Sequence, residues 1–406
     1  MERIWLKNYP PGVPHDIDTE QYKSLTDLLE TAFRVHGHSP FSVCMNRTMS
    51  YSALDELSSA LGAWLQNKGL LPGARVAIML PNLPQFAVTM AAVLRAGYTC
   101  VNVNPLYTAR ELEHQLKDSG ATSIVILENF ASTLQQVIEQ TPIQHVVLAS
   151  IGDLLGPWYG RWMSFAVRHL AKMVPEFELP LTEKRTVTSF KKAIDQGRRL
   201  HLRPTLQTLD DTAFLQYTGG TTGLSKGAVL THRNVVAAIL QAEAWFSPAL
   251  ADIPDLRKVN SVAALPLYHI FALTLCLLAM RQGSMLTLIP NPRDFGKFIE
   301  VLKQRPFHVL PGVNTLFNAL MQHPMFKTLD FSSLKLTQAG GMAASEGTAR
   351  NWQSATGSAM IEGWGMSETC AIGTNNPVTQ KAFSGNIGLP LPSIDIAIKD
   401  DDGLSL

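Results

Sequence analysis

The chain has 406 residues, of which 46% are hydrophobic and 17% charged, and its formal net charge is +1. A length and apolar share of this size can bury large cores and call for two or more subdomains, while near-neutrality argues against a partner held mainly by charge, nucleic acid above all. Four scattered cysteines (Cys44, Cys100, Cys276, Cys370) lack metal-ligand spacing and fit a reducing compartment, each as a small buried hydrophobe.

The opening MERIWLKNYP has no apolar h-region, so a cytoplasmic protein is expected. Repeated β-α-β units follow: a helix over 52–69 with Asp55 as a cap signal, a strand over 75–80, a helix over 84–97, a strand over 98–103, a capped helix over 108–120 and a strand over 123–127. Such alternation predicts a parallel sheet with helices on both faces. Residues 151–204 break the pattern. From Trp158 to Arg203 ten Lys or Arg stand against four Asp or Glu, and Trp158, Tyr159, Trp162 and Phe165 cluster at the start beside Arg161, Arg168 and Lys172. Two readings stay open: a helix lying on an anionic membrane surface, or a solvated excursion whose aromatics pack on the sheet. A second α/β set runs from Thr212 to about Thr374, with a strand, a glycine-rich loop, a helix from about His232 and a strand over 285–289. Ser261 to Met280 lacks Asp, Glu, Lys and Arg over the length of a membrane span, yet Pro266, Tyr268 and His269 interrupt it and favour a buried strand plus helix. The expected fold is α/β with two doubly wound subdomains, about 1–205 and about 206–375, then the start of a small β subdomain over 376–406. Ligands are expected at the carboxyl ends of the strands.

The richest stretch chemically is YTGGTTGLSKG, Tyr217 to Gly227. Gly219, Gly220 and Gly223 let backbone N–H groups approach an anion, Thr218, Thr221, Thr222 and Ser225 add hydroxyls, and Lys226 adds a point charge. An ordinary turn is the bland alternative. Ser225 precedes Lys226 and Gly227 follows it, so the G-x-x-x-x-G-K-S/T form of the NTPase loop does not fit. Three further segments follow in order: LPLYHIFAL at 265–273, GGM at 340–342 and GWGMSET at 363–369.

Together with VNVNPLYTARELEHQLKDSGA at 101–121, these four motifs resemble the adenylate-forming superfamily of acyl-CoA synthetases, luciferases and adenylation domains, the bacterial long-chain fatty-acid–CoA ligases in particular. The resemblance covers nearly the whole chain and implies carboxylate activation: a fatty acid attacks the α-phosphate of ATP, pyrophosphate leaves, and the thiol of CoA then displaces AMP. No general base is needed, because the attacking group is already an anion, so phosphate charge must be neutralised and the reactants aligned.

Residue by residue, the resemblance implies that Tyr217 to Gly227 hold the β- and γ-phosphates, Glu368 binds Mg²⁺ with Thr218 as a second contact, and Ser367 meets the α-phosphate. It further implies that Gly340 and Gly341 approach the adenine edge, with Trp364 and Gly365 beside the base. Trp364 stands where relatives usually carry Tyr, which removes a phenolic hydroxyl but keeps a stacking ring. His269 would lie beside the substrate carboxylate, although a histidine on an apolar face is by default a core residue. Leu273 occupies the position of a tryptophan gate in some relatives, so a tunnel gated that way is not supported. The acyl pocket is drawn from Tyr268 to Leu278, from Gly312 and Val313 to Phe317, and along Gly340 to Met342. Cys370, beside Glu368, has no part in this chemistry.

The family also places a Ser/Thr-Gly-Asp motif, a hinge and a small domain with a catalytic lysine downstream of these segments. None is found before Leu406, so the chain is expected to be truncated and nearly inactive by itself. The alternatives are an acyl-AMP ligase feeding a carrier protein and a noncatalytic lipid- or nucleotide-binding protein. An amino-acid adenylation domain fits less well, since 265–278 has no Asp for an ammonium group. Peripheral membrane contact and a homodimer are carried as partner expectations.

Overall fold

The computed structural model describes residues 2–218 and 224–404. Two sheets organise it. In order across the first lie the strands Thr186–Ser189, His145–Ala149, Ser123–Leu127, Arg75–Met79, Thr99–Asn102, Thr212–Thr218 and Lys226–Thr231, all parallel except the last. In order across the second lie Leu389–Pro390, Thr374–Asn375, Met360–Trp364, Leu336–Ala339, Val309–Gly312, Asn260–Ala263, Met285–Leu288, Pro40–Cys44 and Arg47–Ser50, with a parallel centre and antiparallel ends.

The strand Ser123–Leu127 (SIVIL) is buried along its whole length, as parallel strands covered on both faces must be. The helix Pro84–Arg95 is buried all round, and its sequence is apolar apart from Gln85, Thr89 and Arg95. Its one cation, Arg95, is paired with Glu30 at 2.7 Å and Asp55 at 2.8 Å, which meets the need of a buried charge for partners. The helix Ala109–Ser119 starts at the capping box between Thr108 and Glu111 and stops at Gly120, as expected.

Several boundaries differ from the sequence reading. The helix expected over 52–69 runs Tyr51–Gln66, capped by Ser50, whose hydroxyl accepts from the Ala53 N–H. Asp55 is committed to Arg95 and caps nothing. The sheets also do not divide at residue 206: Thr212–Thr218 pairs with Thr99–Asn102 in the first sheet, and Pro40–Cys44 pairs with Met285–Leu288 in the second. Parallel pairing is non-local, so chain order does not dictate which sheet a strand joins. A strand, Lys226–Thr231, stands between the glycine-rich loop and the helix His232–Phe246 where none was expected.

The excursion is more ordered than its lack of periodicity suggests. Thr186–Ser189 forms an edge strand and Phe190–Gly197 a helix. Pro157–Phe165 is a helix that widens into a π-helical turn, Ala166–Leu170. Gly160 presses on Gly152, where a Cβ would lie 2.0 Å from the Gly160 carbonyl oxygen, so only glycine allows this approach. Three of the four aromatics turn outward, Trp158 81% exposed, Trp162 57% and Phe165 55%, while Tyr159 is half-buried with the Arg47 guanidinium of the strand Arg47–Ser50 5.3 Å from its ring centre. Ser261 to Met280 becomes the strand Asn260–Ala263 and the buried helix Ile270–Gln282. Among the described residues no helix is long and apolar enough to cross a membrane.

Candidate active site

In the second sheet the chain passes from Asn260–Ala263 to Met285–Leu288 on one side, then returns to Val309–Gly312 on the other. Crevices at such reversals, beyond the carboxyl ends of the strands, are where open α/β sheets place ligands. A cavity of about 170 Å³ lies at this end, lined by the residues after Leu336–Ala339 and Met360–Trp364 and by the start of the helix Ile270–Gln282.

His269, Gly340, Gly341, Trp364, Gly365 and Ser367 all line it, so three separate motifs converge. His269 is the N-cap of its helix, and its Nδ1 accepts from the Phe271 N–H at 3.4 Å. The amino end of a helix favours an anion. His269 opens on the cavity while crowding strips part of its hydration, and this desolvation holds the imidazole below its ordinary pKa. It is therefore neutral near pH 7.

The GWGMSET segment turns sharply. The Met366 N–H donates to Thr369 Oγ1 at 2.8 Å, the Ala371 N–H donates to the Met366 carbonyl at 2.9 Å, and Cys370 and Ala371 both take positive φ, 55° and 76°. Gly365 permits the fold-back, since a Cβ there would lie 1.9 Å from the Ala371 oxygen. Two consecutive non-glycine residues in the left-handed region store strain, which recurs at functional sites. Burial pushes the Cys370 thiol up to about 12, so it stays protonated. Glu368 is exposed on this turn and makes no hydrogen bond or ion pair among the described residues.

The phosphate-loop expectation is only partly visible. Gly219, Gly220, Thr221, Thr222 and Gly223 lie outside the described residues. Their flanks form an antiparallel pair in which Thr218 faces Lys226 and Tyr217 faces Gly227. Lys226 is exposed, and His114 Nε2 donates to the Ser225 carbonyl at 2.8 Å. Tyr217 is engaged elsewhere: its ring is buried and its hydroxyl donates to Asp118 at 2.5 Å, with burial first and Asp118 second raising its pKa.

Other expected residues lie outside the cavity lining. Leu273 is fully buried in the core, Gly312 packs on Phe317, Val313 stands beside Gly341, and Met342 is exposed. Tyr268 is half-buried behind His269. Of the stretch from Tyr268 to Leu278, the helix contributes Ile270, Phe271, Thr274 and Leu275, because only one stripe of a helix can face the cavity.

Sequence reasoning missed the residues that hold these segments in place. Asn82 lies just past the strand Arg75–Met79, where the first sheet reverses direction, and is 97% buried. Its amide donates to the Ala263 and Leu265 carbonyls, both at 2.8 Å, and accepts from the Leu267 N–H at 2.8 Å. The crevice of the first sheet thus receives the segment leading to His269. Gln216 donates to the Tyr268 carbonyl at 2.8 Å and accepts from Asn102 at 3.1 Å. Glu362 accepts from the Ala344 N–H at 2.7 Å and ties the strand Met360–Trp364 to the GGM turn. The available signal was a lone amide or carboxylate inside an otherwise apolar run.

A profile of the AMP-binding enzyme family matches residues 29–406. A long-chain-fatty-acid–CoA ligase of Yersinia pestis is 46% identical over 406 residues, covering 99% of this chain and 70% of that protein. A protein of the same name from Escherichia coli O157:H7 is 45% identical over 405 residues, with the same coverage. The solved structure of a long-chain-fatty-acid–CoA ligase from Archaeoglobus fulgidus superposes with a TM-score of 0.77 at 22% identity, covering 98% of this chain and 75% of that one, which establishes the fold. The chain belongs to the AMP-binding enzyme family, on the branch of its long-chain-fatty-acid–CoA ligases.

Proposed function

We propose that this protein activates long-chain fatty acids with ATP and transfers them to CoA. The carboxylate oxygen attacks the α-phosphorus, the bond to pyrophosphate breaks, and the thiol sulfur of CoA then attacks the acyl carbon, releasing AMP. The observation that carries this reading is the convergence of His269, the Gly340–Gly341 turn and the Trp364–Ser367 turn on one cavity at the amino end of a helix. A carboxylate is drawn to that helix end beside a neutral imidazole able to orient it, and the exposed ring of Trp364 offers adenine a stacking face.

Among the described residues no group of three His, Cys, Asp or Glu side chains is placed to hold a metal ion. A single free carboxylate, Glu368, suits a Mg²⁺ that arrives on the triphosphate, since this ion is commonly held by one or two carboxylates plus substrate phosphates. Glu368, with the Thr218 hydroxyl, would hold it, and the ion would neutralise phosphate charge. Ser367 would then contact the α-phosphate, and Lys226 with the 217–227 loop the β- and γ-phosphates.

The cavity is smaller than the ~300–1,000 Å³ of pockets for drug-sized ligands. In this conformation it takes the reacting end of a substrate, and a long acyl tail requires further opening. The test is ATP–pyrophosphate exchange across carboxylates of increasing length, together with binding of acyl-sulfamoyladenosines, stable mimics of the acyl-adenylate, to the 406-residue chain. A rise towards long chains supports the reading. No exchange and no binding with any acid would overturn it, and CoA consumption separates it from an acyl-AMP ligase.

A second observation supports peripheral membrane contact. The helix Pro157–Phe165 and the turn after it expose Trp158, Trp162, Phe165, Leu170 and Met173 beside Arg161 and Lys172, the composition of a helix resting on anionic lipid. Arg168 pairs with the buried Glu128 and anchors the segment to the first sheet. Vesicle flotation tests this contact, and sedimentation of the same sample tests the homodimer.

A further inference from the structure

The segment VNVNPLYTARELEHQLKDSGA at 101–121 carries the family resemblance yet lines none of the active-site cavity. Most of it is the helix Ala109–Ser119. Two of that helix's side chains, His114 and Asp118, stand four residues apart and so share a face. They reach the two described flanks of the glycine-rich loop. Asp118 accepts from the Tyr217 hydroxyl at 2.5 Å on the entering strand, and His114 Nε2 donates to the Ser225 carbonyl at 2.8 Å just before the leaving one. Gln115, between them, donates to the Asn102 carbonyl at 2.8 Å and ties the helix to the sheet.

The His114 bond falls on a particular peptide. The Ser225 carbonyl and the Lys226 N–H belong to one planar unit, so a donor on that oxygen fixes the direction in which the chain enters Lys226–Thr231. That strand is the edge of the first sheet, paired on one side only, and Lys226 is its first residue and exposed. Its orientation therefore depends on contacts from outside the ladder. A lysine is a point charge on a flexible stem, so where its backbone is held decides what the charge can reach.

We infer that His114 is a positioning residue for the triphosphate: by holding the Ser225–Lys226 peptide it aims Lys226 at the β- and γ-phosphates. The inference rests on the reading of Lys226 as a phosphate contact given above. Its consequence is selective, because the acyl-adenylate has no β- or γ-phosphate. A bond that only fastened the helix to the sheet would serve both ligands alike.

The test is calorimetric binding of MgATP and of dodecanoyl-sulfamoyladenosine to the 406-residue chain and to His114→Phe, His114→Gln, Lys226→Met and the His114→Phe, Lys226→Met pair. His114→Phe keeps a ring and loses the donor, and is expected to weaken MgATP about fivefold, as the loss of one hydrogen bond implies, while the analogue stays within about twofold of the parent. His114→Gln keeps a donor for the same carbonyl and should stay within about twofold for both ligands. With Lys226→Met already in place, His114→Phe should weaken MgATP no further, since the charge it positions is gone. Equal weakening of MgATP and the analogue, no weakening at all, a His114→Gln as weak as His114→Phe, or losses that add in the pair would each overturn the role of His114. A parent chain that binds the analogue but not MgATP overturns the inference alone; one that binds neither overturns the activation reading with it.

Discussion

Asn82 is the most economical place to break this site from a distance. Replacing it with Ala removes three hydrogen bonds that seat the 263–267 segment. The Ala263 carbonyl keeps a second donor, the Ile289 N–H at 3.1 Å, but the Leu265 carbonyl and the Leu267 N–H have no other partner among the described residues. Two orphaned backbone groups at ~1–3 kcal/mol each give a loss of about 3 kcal/mol. Asn82→Asp separates the two halves of the interaction. A carboxylate still accepts from Leu267 but repels the two carbonyl oxygens, so this variant should be at least as unstable as Ala at pH 7. Its carboxyl should titrate above the ordinary range, so its stability falls as pH rises through that raised value and part of it returns on acidification. Urea titration gives the stabilities, and acyl-sulfamoyladenosine binding reports whether His269 has moved. Both variants within ~0.5 kcal/mol of the parent, with binding unchanged, would refute the reasoning.

Three further outcomes are expected. Glu368→Gln should weaken Mg²⁺-dependent binding of ATP to the 406-residue chain about tenfold, as the loss of one hydrogen-bonded or ionic contact to a charged group at ~1.5 kcal/mol implies, while leaving the melting temperature unchanged because Glu368 holds no other side chain among the described residues; a drop under threefold would exclude it from metal binding. His232 is buried and accepts from the Leu25 N–H at 3.1 Å through Nδ1, and burial lowers its pKa to about 4. The unfolded chain therefore binds the extra proton first, and stability present above pH 6.5 is lost as pH falls towards 4, by roughly 3 kcal/mol in full. Burial raises Asp153 to about 6, which acts with the opposite sign in an overlapping window, so the His232 term is read as the difference between the parent and His232→Asn, and a parallel pair of pH–stability curves would refute it. Trp158→Ala with Trp162→Ala should reduce flotation with vesicles rich in phosphatidylglycerol at least several-fold without changing analogue binding, since both rings face outward; unchanged flotation would remove the helix from the membrane reading.

Much of this was legible in the chain itself. Apolar runs such as SIVIL can only be covered strands, and the Thr108–Glu111 box starts a helix wherever it lies. The glycine-rich motifs 340–342 and 363–369 declare close backbone approach, and the cavity contains both. These are local signals, set by backbone sterics and by which face of an element can meet water. Tertiary structure alone decided the rest, because its cause is contact between segments far apart in sequence. Thr212–Thr218 joins the first sheet through pairing with a strand more than a hundred residues earlier. Leu273 turns into the core while Thr274 is among the residues lining the cavity, a matter of helix rotation that a helix apolar on nearly every side does not encode. Asn82 reads as one polar residue in an apolar run until 263–267 arrives to be held. Hydrogen-bond satisfaction belongs to a folded neighbourhood and not to any one residue in it.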